Sequence, residues 1–436
     1  MSRLLSVICL ILLIGSCNRG LERQFMTTML VDEELIRPSG YNNLGHCGDK
    51  LAYAPDLDFP EHTPTKTIRL NFHIMCKEDG SSNFDKEKGR LFINQVLEAA
   101  NDKLGRNSQM RLPLGNATPV LPIGYRYKLT PRPNVPGDEG IYFHYDDELY
   151  YMLSEGKSRN NYDRTVFNKY GIQKDTVMNV FVMTHPVDSL KSPKFNPHNK
   201  TNGIAFGSWL KVNGWFFNVQ DTVWRNGKMS LPKGKWFCQK LLNHEVGHCL
   251  GLRHSWRSND GCDDTPKHPN CWGKSKRPPC DSLWSNNFMD YNTHASAWSP
   301  CQIGTVHYNF SSKKRKIRRL LERTWCTLKE DQTIYIDTTV VWKSAKDLEG
   351  HIIIRDGGSL TVNCRVALPK GAKISVYPEG ELLLNGAVLE NDCGENWEGI
   401  EILRKDKKEG VVQMLNSSKI LNTTNSIEIK AKAKES

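Results

Sequence analysis

The feature that most constrains the fold of this chain is NHEVGHCLGLRHSW, a stretch from Asn243 with three histidines and a glutamate. Residues four apart lie on one face of an α-helix, so His244 and His248 point the same way. Gly251 can adopt a positive φ, end the helix and turn the chain back, which lets His254 reach the same point. The pattern predicts a helix with a sharp stop and three converging imidazoles.

Three converging imidazoles form a ligand set for Zn²⁺, and three protein ligands with a fourth position open are typical of catalytic zinc. Glu245 lies one position round the helix from the first ligand, close to the cation but not aimed at it. A general base for hydrolysis by metal-activated water is needed there. We therefore expect one catalytic Zn²⁺ on His244, His248 and His254, with Glu245 as base and acid.

The stretch matches H-E-x-x-H-x-x-G-x-x-H, which is the metzincin signature. Together with GCDDTP and NNFMDYN downstream, the sequence resembles the pappalysin family from about Thr67 to Phe310. It differs at Ser255–Trp256, where family members often have threonine and phenylalanine. The resemblance implies an α/β fold, with a metzincin-type catalytic domain made of a mixed sheet and a zinc-binding helix. It also implies zinc metalloendopeptidase activity on protein or peptide substrates.

The same resemblance implies roles for residues outside the histidine stretch. Met289 is expected in a Met-turn beneath the metal. Tyr291 is a candidate to stabilise the oxyanion of the tetrahedral intermediate; the alternative is a packed tyrosine with its hydroxyl at the surface. Structural calcium is common in the family, and Asp263 and Asp264 could contribute oxygens to a Ca²⁺ site.

The chain has thirteen cysteines, which is typical of an oxidising compartment. Setting aside Cys9 and Cys17 in the N-terminal segment leaves 13 − 2 = 11, so at least one thiol is unpaired. Four cysteines surround the expected Met-turn and allow three connectivities: Cys262, Cys271, Cys280 and Cys301. Family resemblance implies the crossed pairing, Cys262–Cys280 and Cys271–Cys301.

Cys47 is a candidate for the odd thiol. HCGDKL resembles the cysteine-glycine element with which related pro-segments cap the zinc, so Cys47 could act as a cysteine switch in a zymogen. The alternative is a Cys47–Cys76 disulfide that ties the pro-segment to the first strand.

The N-terminal segment predicts export. It has one early basic residue and an apolar run that is too short to span a membrane. Ile14-Gly15-Ser16-Cys17 then resembles a bacterial lipobox, which implies a lipid on Cys17 and attachment to a membrane. We expect a lipoprotein of the outer membrane or cell surface, or a protein secreted after processing; the alternative is an ordinary secretory signal.

The middle of the chain predicts an α/β succession. Thr67 to Cys76 and TVMNVFVMTH have the pattern of strands, and Asp85 can cap a helix between them. GIAFGSWL and GWFFNVQD are predicted as further strands before the long histidine helix. GIAFGSWL, from Gly203 to Leu210, is either an edge strand along which substrate lies or an interior strand.

Beyond about Asp331 helical periodicity ends and a weak repeat appears. DGGSLTV recurs as PEGELLL, with Gly358 and Gly380 offset by 22 residues; WEGIEI and NSIEIK are candidates for later copies. The spacing favours an all-β module built as a short parallel β-helix, and a small β-sandwich is the alternative. The expected domains are 1–17 (signal peptide), 18–64 (pro-segment or linker), 65–328 (metalloprotease domain) and 329–436 (β-rich module).

The net charge of +11 is spread along the chain. Its densest run, Ser311 to Trp325, is interpreted as a helix with a solvated basic face and Ile317, Leu320 and Leu321 turned inward. We expect no nucleic-acid partner because no nucleic-acid motif accompanies the charge. The sequence does not indicate an oligomeric state.

The expected function is zinc-dependent endopeptidase activity in a secreted or surface-tethered protein, made as a zymogen. The alternative is a surface adhesin whose β module is functional and whose protease domain is vestigial. The intact Glu245 argues against the adhesin. Non-proteolytic amide hydrolysis fits the zinc chemistry but not the metzincin extension.

Overall fold

The computed structural model describes residues 20–31, 47–196, 202–217, 219, 224–225, 228–229, 232–257, 260–271, 277–291, 295–425 and 428–431. The predicted signal peptide and Cys17 lie outside these residues. In the part that is described, no helix has the length and apolar character to cross a membrane.

Six helices have defined bounds: α1 (Lys86–Gly105), α2 (Thr165–Tyr170), α3 (Val187–Leu190), α4 (Pro232–Cys249), α5 (Pro300–Ser311) and α6 (Lys316–Arg319). Short 3-10 helices lie at Leu51–Tyr53, Pro60–His62, Thr324–Cys326 and Glu330–Gln332. The strands before α4 are β1 (Glu22–Phe25), β2 (Thr28–Val31), β3 (Lys66–Cys76), β4 (Tyr125–Leu129), β5 (Ile141–Tyr145), β6 (Met178–Met183), β7 (Asn202–Ala205), β8 (Trp209–Asn213), β9 (Trp224–Arg225) and β10 (Lys228–Met229).

The first large sheet has the order β4-β3-β6-β8-β7, and β5 pairs with β3 beyond β4. All pairs are parallel except β7 with β8. Strand alternation divides β3 between two cores: Leu70 and Phe72 join the cluster under α1 and α4, and Met75 joins a smaller cluster on the other face. The predicted strands β3 and β6 and the helix after Asp85 are confirmed.

The predicted strand GWFFNVQD, residues 214–221, is wrong over its described residues, which are 214–217 and 219. Gly214, at φ +83°, follows the end of β8, and Trp215–Phe217 are helical. Trp215 is fully buried against Phe92, with ring centroids 6.0 Å apart. This packing outweighs the β propensity of a run of aromatic residues.

The predicted GIAFGSWL strand divides into two. Gly203–Ala205 belong to the edge strand β7, whereas Trp209 and Leu210 belong to β8, which lies inside the sheet. Gly207 adopts a φ of +86° in the turn between them. Only the first half of the segment can therefore offer a free edge.

The C-terminal part is built from short strands in three parallel stacks. Its strands are β11 (Ile334–Ile336), β12 (Thr339–Trp342), β13 (Lys346–Asp347), β14 (Ile352–Ile354), β15 (Ser359–Val362), β16 (Arg365–Ala367), β17 (Lys373–Val376), β18 (Glu381–Asn385), β19 (Val388–Glu390), β20 (Gly399–Lys405), β21 (Lys408–Glu409), β22 (Val411–Leu415), β23 (Lys419–Ile420) and β24 (Glu428–Ala431). The stacks are β11-β14-β17-β20, β12-β15-β18-β22 and β13-β16-β19-β23. Each strand therefore pairs with the one three strands later, up to β20. Beyond it, where β21 intervenes, β18 pairs with β22 and β19 with β23.

The register in these stacks explains the sequence repeat. Leu360 lies opposite Leu382, 22 residues later, and its buried side chain joins the same cluster. WEGIEI is not a further copy of this strand, because β20 pairs with β17 in another stack. The next copy of the repeated strand is β22, which pairs with β18. NSIEIK contributes β24, which pairs with β2.

Described parts of the chain before residue 65 contact the C-terminal stacks, whereas Tyr53 packs on Tyr308 of α5. β1 pairs antiparallel with β20 and β2 pairs parallel with β24. Cys47 is bonded to Cys364, with Cα atoms 5.9 Å apart. This bond corrects both predictions for Cys47, since Cys76 is free and buried in the first core.

The crossed pairing of the four later cysteines is also wrong. Cys262 is bonded to Cys301 and Cys271 to Cys280. Asp264 accepts hydrogen bonds from Ser299 Oγ (2.7 Å) and Cys301 N (2.9 Å), which brings the start of α5 to Cys262. A further disulfide, Cys326–Cys393, was not predicted.

The basic run from residue 311 differs from the expected solvated helix. Between the end of α5 and the 3-10 helix at Thr324 it forms the single α-helical turn α6, although Leu320 and Leu321 are buried as expected. Arg318 is buried and donates to both Asp347 oxygens, at 2.7 and 2.9 Å, and Arg365 lies 2.7 Å from the same carboxylate. Part of the positive charge of this run therefore forms an ion pair, Arg318 with Asp347, that connects the run to the C-terminal stacks.

Candidate metal centre

The helix α4 places two histidines of the predicted ligand set one turn apart. His244 and His248 bring their Nε2 atoms within 3.1 Å of each other. Gly251 adopts φ +95° and ends the helix, and Leu252 N donates to Gly247 O at 3.0 Å across the turn. His254 Nε2 then lies 3.3 Å from that of His244 and 3.1 Å from that of His248.

The other ring nitrogens of the two helical histidines fix their tautomers. His244 Nδ1–H donates to Phe288 O at 2.7 Å, and His248 Nδ1–H donates to Leu252 O at 2.9 Å. Each Nε2 therefore carries a lone pair directed at the common point. Backbone carbonyls hold metal-binding imidazoles in this way in many zinc proteins.

Burial keeps the three imidazoles neutral. It lowers the pKa of His244 to about 3, with a further contribution from His248, and lowers the pKa of His248 as well. Burial and the charge of His248 lower the pKa of His254 to about 4. The unprotonated form, which binds metals, is thus the form present near neutral pH.

The donor set fits zinc. Nitrogens that hold one tetrahedral zinc ion at about 2.0–2.1 Å lie about 3.3 Å from one another. The three Nε2 separations, 3.3, 3.1 and 3.1 Å, agree with that geometry. Three nitrogens leave a fourth position for another ligand.

Glu245 lies beside the triad in a buried position. Its pKa is raised to about 8 by burial, so its carboxylate is a stronger base than that of an exposed glutamate. The edge strand β7 passes directly over it. A Cβ built on Gly203 would lie 2.6 Å from Glu245 Cγ and 2.7 Å from Oε1.

Met289 lies beneath the triad, where the Met-turn was predicted. Its side chain is fully buried, and a Cβ on Gly247 would overlap its sulfur. Its carbonyl accepts a hydrogen bond from Ser255 N at 3.0 Å. This loop therefore carries both the carbonyl that orients His244 and a contact to the residue after His254.

Tyr291 is at the site, two residues beyond Met289. Its ring centroid lies 4.6 Å from that of His254 and 5.8 Å from that of His244. Its pKa is raised, mainly by burial and also by the nearby Glu245. Trp256 stacks on the outer face of His254, with centroids 5.5 Å apart.

Sequence reasoning missed the ion pair that holds this loop. His268 Nε2 lies 2.7 Å from Asp290 Oδ2, and both side chains are nearly buried. Burial lowers the pKa of His268, but the hydrogen bond and charge of Asp290 outweigh it, and the net shift is upward. No motif marks a histidine in this proline-containing loop, so the sequence offered no signal for it.

Three other predicted site residues have surroundings that differ from those predicted. Cys47 lies on the C-terminal stacks, because its disulfide to Cys364 and the pairing of β1 with β20 hold it there. Asp264, a candidate calcium ligand, uses both carboxylate oxygens to cap the start of α5. Asp263 is exposed.

Comparisons with known proteins give partial structural likenesses only. No family model matches the sequence, and no curated protein matches it. A structure of mirolysin in complex with a compound aligns with a TM-score of 0.39 and 17% identity, over 59% of this chain and 96% of that chain.

Two structures from Tannerella forsythia give similar values. Mature mirolysin in complex with a cleaved peptide aligns with a TM-score of 0.39 and 17% identity, covering 59% of this chain and 95% of that chain. A promirolysin mutant aligns with a TM-score of 0.39 and 16% identity, covering 62% of this chain and 87% of that chain. With TM-scores and identities this low, the likeness carries no argument about the family or activity of this chain.

Proposed function

We propose that this chain is a zinc-dependent endopeptidase of the metzincin type that hydrolyses peptide bonds of proteins, with pappalysin-like features. The observation that carries the proposal is the convergence of His244, His248 and His254 on one point, with the buried carboxyl of Glu245 beside it. Zinc, when bound, supplies Lewis acidity that polarises a carbonyl and makes water more acidic.

In this proposal the protein residues divide the remaining work. Glu245 accepts the proton of the attacking water on its carboxylate and later delivers it to the leaving nitrogen. Tyr291, with its ring beside His254, donates a hydrogen bond to the developing oxyanion. Met289 and the Asp290–His268 pair hold the loop that orients His244.

The substrate is proposed to lie along β7. This strand pairs only with β8 among the described strands, so its other edge can accept main-chain hydrogen bonds from an extended peptide. The approach of Gly203 to Glu245 supports this placement, because a peptide paired with β7 would have its backbone close to the base.

We propose that the C-terminal stacks form a short parallel β-helix that positions the protease domain. The pairing of each strand with the one three elements later and the 22-residue register support it. The buried Arg318–Asp347 pair and the Cys326–Cys393 disulfide connect this module to the preceding segment.

We also propose that the chain is exported, made as a zymogen and attached to a membrane through a lipid on Cys17. The apolar N-terminal run and the sequence Ile14-Gly15-Ser16-Cys17 support export. The four disulfides among the described residues agree with an oxidising compartment. Because Cys47 is bonded to Cys364, the latency of this zymogen has to come from something other than a Cys47 thiolate bound to the metal.

Casein turnover tests the protease proposal. Wild-type chain loaded with zinc should cleave casein, lose activity with a chelator and regain it with Zn²⁺. Glu245→Ala should keep bound zinc but lose at least about a hundredfold in rate, the range for removing a general base. Glu87→Ala, at an exposed position in α1, is the matched control. Zinc-loaded wild type that leaves casein and gelatin intact after its N-terminal segment is cut would overturn the proposal.

A further inference from the structure

A small cavity lies where three parts of the chain meet. Its walls are the segment before β3, the second half of α5 and the stretch that leads from β12 into β13 of the C-terminal stacks. We call it the junction cavity. Its volume is about 20 Å³, which is room for one water molecule or one ion of similar size.

Two lysines with buried side chains line the junction cavity. Lys66 is 5% exposed and Lys346 is 8% exposed, although lysine is almost never buried in proteins unless its charge is paired. Lys66 Nζ donates to Asp347 O at 2.9 Å and lies 5.3 Å from the Trp325 ring centroid. Lys346 Nζ donates to Thr63 Oγ1 at 3.1 Å. Both acceptors are neutral, and each ammonium group has two further N–H donors.

The carboxylates near the junction cavity do not balance these two charges. A network of three cations and three carboxylates is neutral in itself: Lys313, Arg318, Arg365, Asp347, Glu390 and Asp392. Glu349, which acts on Lys66, is paired with Lys329. Asp56, which acts on Lys346, is exposed, so the high dielectric constant of water weakens its effect. The positive charges of the two buried lysines are therefore in excess.

The two lysines also act on each other. Burial lowers the pKa of Lys66 and that of Lys346 to about 8, and the charge of Lys66 contributes to the shift of Lys346. Burial lowers the pKa of His307, which also lines the cavity, to about 4, and the charges of both lysines lower it further. Positive potential therefore converges on a space that holds one small ion.

We infer that the junction cavity binds one monovalent anion of the size of chloride, held between the ammonium groups of Lys66 and Lys346. Each lysine donates one of its remaining N–H groups to the anion, whose charge offsets the repulsion between two buried cations. Lys66 begins β3, Lys346 begins β13, and Thr63 belongs to the segment before both. The bound anion thus stabilises the contact of all three parts of the chain.

Thermal unfolding in two salts tests the site. The zinc-loaded full chain is heated in sodium gluconate and in mixtures in which chloride replaces gluconate at constant ionic strength. Gluconate is the reference because it is too large for a cavity of this volume. Tm should rise with chloride concentration, by at least about 2 °C, because an anion that binds only the folded state stabilises it by mass action. Equal Tm values in the two salts would overturn the inference.

A lysine variant assigns the chloride response to the junction cavity. Lys346→Met removes one ammonium group and keeps a side chain of similar length, so it should abolish the rise of Tm with chloride. Lys343→Met, at an exposed position three residues earlier, is the matched control and should respond to chloride as wild type does. A chloride response that is the same in Lys346→Met and in wild type would contradict the assignment.

Bromide locates the anion in the wild-type protein, which keeps the inference testable if Lys346→Met does not fold. A crystal grown in sodium bromide is measured at the bromine absorption edge. The expected result is an anomalous peak in the junction cavity, in contact with Nζ of both Lys66 and Lys346. A cavity that holds only water, or bromide at exposed side chains alone (an adventitious ion only), would overturn the inference. Neither measurement uses catalysis, so both are independent of the proposed function.

Discussion

Gly203 and Glu245 are in direct van der Waals contact, so close that a Cβ at residue 203 would lie 2.6 Å from Glu245 Cγ. Gly203 belongs to the edge strand β7, and Glu245 belongs to the helix that carries the first two histidines. The edge that we expect to bind substrate and the proposed general base are therefore positioned by one contact.

Gly203→Ala should reduce peptide hydrolysis at least tenfold, about 1.4 kcal/mol in activation free energy, because the added methyl group displaces the Glu245 carboxylate. Bound zinc should be unchanged, since the three atoms nearest to the added methyl group all belong to Glu245. The measurement is kcat/KM together with metal content. Gly105→Ala, where a Cβ meets nothing within 4 Å, is the control. A variant as active as wild type would show that the glutamate does not need this position.

Gly251→Ala should weaken zinc binding as well as stability. The residue has φ +95°, where an L side chain costs about 1–2 kcal/mol. A Cβ there would also lie 2.6 Å from Asn309 Nδ2, which donates to Leu250 O. The turn that aims His254 should therefore shift.

Gly261→Ala is a matched control for this effect, with φ +93° and nothing within 4 Å of the added methyl group. Both variants should lose thermal stability, but only Gly251→Ala should bind zinc more weakly in a competition titration. Equal zinc affinities would contradict the role assigned to this turn.

His268→Gln should destabilise the protein in a pH-dependent way. The folded pKa of His268 is raised, so the charged pair with Asp290 contributes fully below the unfolded pKa, about 6.5. That contribution is lost as pH rises through the folded pKa. The loss in free energy of unfolding should be about 1.5–3 kcal/mol near pH 6 and smaller at pH 8.5.

Urea unfolding at several pH values measures this difference. His351→Gln, which removes a histidine paired with Glu330 in the C-terminal part, is the control. A His268→Gln penalty that stays constant or grows with pH would mean that the pair is not charged at pH 6.

Cutting the chain in the exposed turn Asp56–Asp58 should not release the N-terminal fragment. The Cys47–Cys364 disulfide joins that fragment to the C-terminal module. With a specific protease site inserted in the turn, the cut chain should migrate at full mass on a denaturing gel without reductant and as two fragments with it.

Cys47→Ser should separate into two fragments without reductant, whereas Cys271→Ser, which removes the Cys271–Cys280 bond, should not. If the lipid on Cys17 is present, the cut enzyme then stays attached to it. Release of the fragment from the wild-type chain without reductant would show that this disulfide does not form.

The convergence of the three histidines could be predicted from the sequence because their spacing is local. His244 and His248 share a helix, and Gly251 allows the turn that returns His254, so helix geometry alone brings the three together. The strand β3, from its near-alternation of residue types, and the 22-residue register of Leu360 with Leu382 could be predicted for the same reason. A regular period appears in the sequence itself.

Contacts between distant segments left no such pattern. Cys47 and Cys364 are separated by 317 residues, and neither neighbourhood indicates the other. The pairing Cys262–Cys301 depends on where Asp264 holds α5, and Trp215–Phe217 are helical because Trp215 packs on Phe92. His268 could not be assigned to Asp290 before the loop was folded.

The sequence by itself determined the convergence of the three histidines, the place of Glu245 beside them and the 22-residue period, because each depends on the local geometry of one helix and its turn or of one repeating strand. Only the tertiary structure decided which cysteines pair, where the N-terminal segment lies, and that Gly203 reaches Glu245. Those contacts depend on how separate elements pack, and packing selects partners by shape and burial rather than by their distance along the chain.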